Sequence, residues 1–227
     1  MNSAGALSRR LKAAGIARAL VSSTDAILYP DPAACNADLL KAVKGHPMLI
    51  PVPVVNPALT NWRAIVSAKN VKAVKIIPNY HNYPLVGPVL AQLMEVLAER
   101  KIPLMIQMRA EDERNQYPLM KIPGVDFKAV VQLANDFPAV SIICLCAYFG
   151  EAVELAQKTG KVSVDISFIE TFQTLPSLLK QIPPQKILFG SHTPFLYTEA
   201  AMMKLKTTAP AARRTIACAN ARRLFDI

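Results

Sequence analysis

Three histidines occur in 227 residues, and the scarcity matters because imidazole is the commonest protein ligand for transition metals. No H-x-H pair occurs anywhere. The four cysteines, at 35, 144, 146 and 218, lack CxxC or zinc-ribbon spacing. They read as reduced thiols of a cytoplasmic protein rather than as a zinc site or a disulfide framework. Glycine is also sparse, at eight residues, with neither GxGxxG nor GxxxxGKS/T among them. That excludes the phosphate-cradling turns of dinucleotide and P-loop folds. G-x-S-x-G is missing too, so Ser191 after Gly190 is not a nucleophile elbow. No apolar run approaches the ~18 residues of a membrane span; the longest lie around Met48–Val55 and Val140–Ala147.

What is present is a large apolar fraction, 52%, with 18 prolines and a formal charge of +10. The apolar content excludes intrinsic disorder. Nucleic-acid binders cluster their basic residues on one stripe; here Lys and Arg are spread singly, the densest groups being Arg9-Arg10-Lys12, Arg213-Arg214 and Arg222-Arg223. The charge therefore points to small anionic molecules, not to nucleic acid or membrane. The first 24 residues carry four bases and no acid, a superficial likeness to a transit peptide. A helix explains them better: Ser3 can cap it, Leu7, Leu11 and Ala14 share a face, and Gly15 stops it.

From Gly15 the patterns of strand and helix alternate across a single domain, 1–227. Apolar strands are expected at Ala17–Ser23, Met48–Val55, Val71–Ile77, Pro103–Arg109, Val140–Ala147, Val162–Phe168 and Lys186–Ser191. Between them, Ala34–Lys44 reads as a helix with Leu39, Leu40 and Val43 inward. A second helix bears Trp62, Ile65 and Val66. Pro88–Arg100 places Leu90, Leu93, Met94 and Leu97 at i, i+3, i+4 and i+7. A fourth uses Phe127, Val130, Val131 and Ala134, and others follow at Glu151–Lys158, Leu175–Gln181, after Pro194 and from Pro210. Seven continuous apolar strands alternating with helices mean an α/β fold with a parallel sheet covered on both faces. Polar groups gather at the C-terminal ends of several strands, the habit of a TIM-type (β/α) barrel.

The last third of the chain is where a family likeness enters. KILFGSHTPF (Lys186–Phe195) and IACANARRLF (Ile216–Phe225) resemble the closing signature of the amidohydrolase-related (amidohydrolase 2) family, metal-dependent barrel hydrolases and decarboxylases. There an apolar strand leads into F-G-S-D-x-P, and an N-A-x-R-L-F helix follows. VKAVKIIPNY (Val71–Tyr80) is similar to the family's fourth strand, and LAERKIPLMIQ (Leu97–Gln107) to the helix and strand that end in a metal-binding His. The likeness runs from about Leu11 to Phe225.

The departures from the family pattern are at its metal ligands. The first-strand H-x-H is lacking, and the chain begins at what the resemblance makes the helix after that strand. The fifth-strand His position holds Gln107, the sixth falls at about Ala147, and the eighth-strand Asp is His192. The resemblance thus implies an incomplete barrel of seven strands without the first, and no family-type zinc or other cofactor. The gap between first and last strands suits protection by a homodimer.

Candidate site residues sit at the strand ends. Gln107 and Arg109 share one side of their strand; the following loop adds Glu111, Asp112 and Arg114. Asn79, Tyr80 and His81 follow the third strand, Asp165 shares a face with Ser167, and Ser191 with His192 closes the last. His192, with His81 and Asp165, is expected to move protons. Arg109 is expected to hold a substrate carboxylate and Gln107 to orient a carbonyl or water. Each has a plain structural reading beside it: His81 as a loop residue, Arg109 as an ion pair with Glu111 or Asp112, Asp165 as a backbone acceptor. Cys144 and Cys146 are expected to pack together against helices. The implied function is hydrolysis or decarboxylation of a small anionic substrate without metal; the alternative is a non-catalytic barrel binding an anionic ligand or a partner protein.

Overall fold

Short apolar segments with helices between them can bury both sheet faces only if the strands run parallel and the helices lie outside. The computed structural model, which describes residues 3–227, has that arrangement. Its strands are β1 (Ala19–Val21), β2 (Leu49–Pro51), β3 (Val74–Ile76), β4 (Leu104–Gln107), β5 (Ile142–Leu145), β6 (Val162–Asp165) and β7 (Ile187–Leu188). All seven expected strands are present, each shorter than its apolar run. Strands β1 and β2 pair in parallel, as do β3 through β7 in chain order. A single parallel bridge, Val54 to Lys75, joins the two sheets. The order is that of a (β/α) barrel, and among the described residues no β7–β1 pairing closes it.

The helices are α1 (Ala4–Ala13), α2 (Ala33–Val43), α3 (Trp62–Ser67), α4 (Pro88–Arg100), α5 (Phe127–Asp136), α6 (Phe149–Lys158), α7 (Thr174–Leu179), α8 (Thr198–Lys206), α9 (Pro210–Arg214) and α10 (Asn220–Phe225). Ser3 caps α1, its Oγ accepting from Ala6 N at 3.2 Å. Leu90, Leu93, Met94 and Leu97 are buried, as the α4 spacing requires. Burying such a side chain stabilises the fold by about 1.5–3 kcal/mol. Helix α2 corrects the expectation for Leu40, which is 59% exposed. Asn36 sets the rotation instead: its side chain donates to Val54 O at 2.7 Å and accepts from Val54 N at 2.9 Å.

Alternation along the strands separates two cores. Val74, Ile76, Leu104, Ile106, Ile142 and Cys144 face the helices. Val52, Ala73, Met105, Ile143 and Leu188 form the barrel interior, with Leu20 and Leu145 beside them. The NARRLF helix, α10, supplies Phe225 to that interior cluster. Buried Asn220 pins the helix to the sheet, donating to Pro184 O and Ile187 O, both at 2.7 Å. One end of the interior is thus filled by apolar side chains, and the polar residues collect at the other.

Candidate active site

Strands β4, β5, β6 and β7 deliver one residue each to a common point at their C-terminal ends. Gln107, 2% exposed, closes β4; its Nε2 donates to Arg109 O at 2.6 Å and to Cys146 Sγ at 3.1 Å. Asp165, equally buried at the end of β6, accepts from Cys146 N through Oδ1 at 2.9 Å. Its Oδ2 lies 3.5 Å from His192 Nε2. The His192 ring also faces Cys146 Sγ, at 3.4 Å from Nδ1 and 3.5 Å from Nε2. Ser167 Oγ stands 3.9 Å from the same sulfur. A Cβ on Gly190 would run into the Asp165 carboxylate, so only glycine lets the last strand approach so closely.

Cys146 corrects the expectation from parity. Cys144 does pack among the helices, and strict alternation would put Cys146 beside it. β5 stops at Leu145, however, and Cys146 takes a left-handed φ of 58°, which turns its side chain into the barrel. Cys146, not Ala147, is therefore the β5 residue at the site; Ala147 is buried against the helices. His192 is left-handed as well, with φ 45°. Backbone of this kind is costly for a non-glycine residue and concentrates at functional sites.

Lys75 is the second group that the sequence reading passed over. It shares a strand face with Ala73, opposite Val74 and Ile76, and so points into the barrel; it is 8% exposed. Its Nζ reaches Ser22 Oγ at 3.4 Å. Burial lowers its pKa to about 8, against the opposing pull of Cys146 and Asp165. The alternation that reveals it was legible in VKAVKII; Cys146 had no such signal.

Electrostatics divides the cluster into an acid and its counter-charges. Burial works against charge on His192, but the Cys146 sulfur and Asp165 outweigh it and push the imidazole up to about 10. Burial would raise the Asp165 pKa; His192, Ser167 and the Cys146 amide reverse this and hold it below the usual carboxylate range. At neutral pH, His192 is therefore an imidazolium facing a carboxylate. Gln107 Oε1 and Asp165 Oδ2 are buried acceptors without an aligned hydrogen-bond donor among the described residues.

The other expected site residues lie elsewhere. Arg109 is 2% exposed. It grips Glu151 with both terminal nitrogens, at 2.7 and 2.6 Å, donates to Cys146 O at 2.7 Å, and stacks 3.8 Å from the Tyr148 ring. The carboxylate it holds is that of Glu151, with Glu113 Oε1 3.4 Å from Nε, rather than that of Glu111 or Asp112. Burial disfavours the Arg109 charge, but Glu151 more than restores it. His81 is buried in a different group, with Nε2 donating to Ala26 O at 2.8 Å. Burial lowers its pKa, so it serves as a neutral strut between two loops. Asn79 ties loops together through Pro123 O at 3.0 Å. Tyr80 packs by Ala26 and Ile77. Glu111 is exposed. Asp112 pairs with exposed Arg114 at 2.6 Å and accepts from Tyr148 OH at 3.1 Å. Ser191 bonds Thr193 Oγ1 at 2.9 Å. Of the expected residues, the structure brings together Gln107, Asp165 and His192.

Comparison with known proteins agrees with this architecture. The profile of the amidohydrolase family (Amidohydro_2) matches residues 3–227. The 5-carboxyvanillate decarboxylase of Sphingomonas paucimobilis superposes with a TM-score of 0.74 at 14% identity, over 96% of this chain and 82% of that one. The 2,6-dihydroxybenzoate decarboxylase of Rhizobium gives 0.74 at 15%, over 100% and 88%. The dihydroxybenzoic acid decarboxylase of Polaromonas sp. JS666, solved with bound manganese and the inhibitor 2-nitroresorcinol, gives 0.76 at 15%, over 100% and 86%. Identities this low establish the fold alone. No curated protein matches the sequence.

Manganese in the Polaromonas enzyme poses the question of a donor set here. Among the described residues, no three His, Cys, Asp or Glu side chains are grouped to hold a metal ion. The His192 ring is instead engaged by Cys146 Sγ at 3.4 Å and by Asp165 Oδ2 at 3.5 Å. Asp165 and Cys146 are turned toward that ring instead of toward a common cation position. These residues do not fit the group.

Proposed function

The chain belongs to the amidohydrolase family, and we propose that it is a decarboxylase-type member that acts on a small carboxylic acid without metal. One observation carries the reading: the His192 ring stands 3.5 Å from the Asp165 carboxylate at the C-terminal strand ends of the barrel, where the Cys146 sulfur and that carboxylate favour its protonated form. Loss of CO2 leaves an electron pair on carbon that needs a proton, and an acid protonated at neutral pH supplies it. His192 donates that proton and Asp165 orients the ring. Lys75 and His192 make the interior electropositive and draw the carboxylate in. The unpartnered Oε1 of Gln107 accepts from a substrate hydroxyl or enol. The solved relatives support this choice of reaction, since those compared are decarboxylases of aromatic acids. The four cysteines are free, which suits a cytoplasmic protein.

A second reading rests on the Cys146–His192 contact. A sulfur 3.4 Å from an imidazole is the arrangement of a thiol nucleophile, which would make the protein a hydrolase of small esters or lactones.

Release of CO2 from a panel of hydroxybenzoates and oxo acids tests the first reading. His192→Asn is the suited variant because asparagine tolerates left-handed φ better than other substitutes. It should lower the rate by about 10²–10⁴-fold, the usual contribution of a positioned acid. Equal rates for the two proteins exclude His192 as the acid. Ester hydrolysis abolished by Cys146→Ser, without CO2 release, would select the second reading. Thermal stabilisation by carboxylates with no turnover would identify a binding protein.

A further inference from the structure

We propose that Lys75 is a covalent catalyst that forms an imine with the keto group of a 3-oxo carboxylic acid and so supplies the electron sink for decarboxylation. The inference deepens the decarboxylase reading and rests on it for the reaction class. It starts from an energetic anomaly. The barrel interior around β3 is apolar, formed by Val52, Ala73, Met105, Ile143 and Leu188. An ammonium there loses its hydration, and a carboxylate partner at contact would be the ordinary compensation. Lys75 lacks one: its hydrogen-bond contact among the described residues is the Ser22 hydroxyl, at 3.4 Å. An aliphatic side chain would fill the position at lower cost. The amine, not the charge, is what this placement favours.

The surroundings suit the chemistry. Desolvation brings the Lys75 pKa to about 8, leaving about one tenth as free amine at pH 7. Lysines activated by burial form Schiff bases with carbonyl substrates. The acid needed afterwards is on the same interior face: Lys75 is in register with Met105, two residues before Gln107 on β4, and Gln107 bonds the Cys146 sulfur that faces the His192 ring.

The steps balance without an oxidant or reductant. Lys75 Nζ attacks the keto carbon, one proton is taken up from solvent as the hydroxyl leaves as water, and a protonated imine results; the final hydrolysis returns that proton. The bond between the α-carbon and the carboxylate breaks, CO2 departs, and the electron pair moves into the imine to give an enamine. His192 protonates the α-carbon. Water then adds to the restored imine, releasing the ketone and the amine, and solvent reprotonates His192. A 3-oxo acid is the class required, because its carboxylate is β to the imine carbon. A 2-oxo acid would leave the electron pair on the carbonyl carbon itself.

Borohydride trapping tests this directly. The full chain is incubated with acetoacetate and sodium borohydride, then digested and mapped by mass spectrometry. The expected result is one reduced secondary amine at Lys75 per chain, absent without acetoacetate and absent in Lys75→Met. Lys75→Arg, which keeps the charge but cannot form the imine, should also show none, and peptide mapping of the wild-type chain needs no variant. CO2 release from acetoacetate with no label at Lys75 overturns the inference and leaves the decarboxylase reading standing. Labelling confined to other lysines, unchanged in Lys75→Met, overturns it as well. A label at Lys75 with no CO2 released from any acid of the panel supports imine formation and removes the decarboxylase reading.

Discussion

Two bases in one barrel are displaced in opposite directions, and the difference sets a pH window. Lys75 must lose its proton to attack a carbonyl, and burial brings that loss to about 8 against the pull of Cys146 and Asp165. His192 must keep its proton to act as the acid, and although burial opposes the charge, the same two groups hold it to about 10. The rate of decarboxylation should rise as pH passes about 8 and fall as it passes about 10, a bell centred between them. The descending limb needs a structural control. A raised histidine contributes stability that is complete below its unfolded value of 6.5 and is lost as pH rises through about 10. Far-UV circular dichroism over the same range separates loss of acid from loss of fold. A rate still climbing above pH 10 in folded protein would remove His192 from the mechanism.

At the scale of elements, Glu151 serves two structures at once. It sits in the first turn of α6, where a carboxylate is favoured, and accepts from Tyr148 N at 2.8 Å. The same carboxylate grips Arg109 at the start of the long β4–α5 loop. Gly124 lies so close that a Cβ there would press on Glu113 and Arg109. Removing one partner of a buried pair strands the other, at about 3–5 kcal/mol. Arg109→Ala should therefore lower the midpoint of urea unfolding strongly, and Arg109→Lys less, since it keeps the charge but not the bidentate geometry. Equal small effects from both would show that the pair contributes little. This pair also marks how far the sequence could be read. Strand and helix periods located all seven strands, and the closing motifs pointed to the barrel family. Neither type of signal reports pairing between positions 42 residues apart, such as Arg109 and Glu151. Parity along β5 failed at Cys146 because one left-handed residue reverses the side chain, and nothing in LCAYFG announces that turn. Lys75 was legible from alternation; His192 and Gln107 were legible from the departures in the family motif.

At the scale of the whole molecule, no β7–β1 pairing closes the ring of strands among the described residues. Strand β1 is half-exposed along its length, whereas every residue of β4 and β6 is buried. An unpaired parallel edge presents open backbone donors and acceptors and is normally covered. The chain order places the loops after β7 and β1 on the two sides of this interruption. Those loops carry Phe195 and Tyr197, at 66% and 77% exposed, and Leu28 and Tyr29, at 78% and 58%. Large exposed apolar side chains are the composition of an interface core, not of a solvated surface. A second copy of the chain, meeting this face with its own, would cover edge and patch together and close the interface with two-fold symmetry. Sedimentation equilibrium should then give twice the 24.8 kDa chain mass. Phe195→Asp with Tyr197→Asp, placing two charges in the patch, should shift the protein to monomer while its circular dichroism stays unchanged. A wild-type protein that sediments as a monomer up to high micromolar concentration would show that the open edge and its apolar flank are left uncovered by self-association.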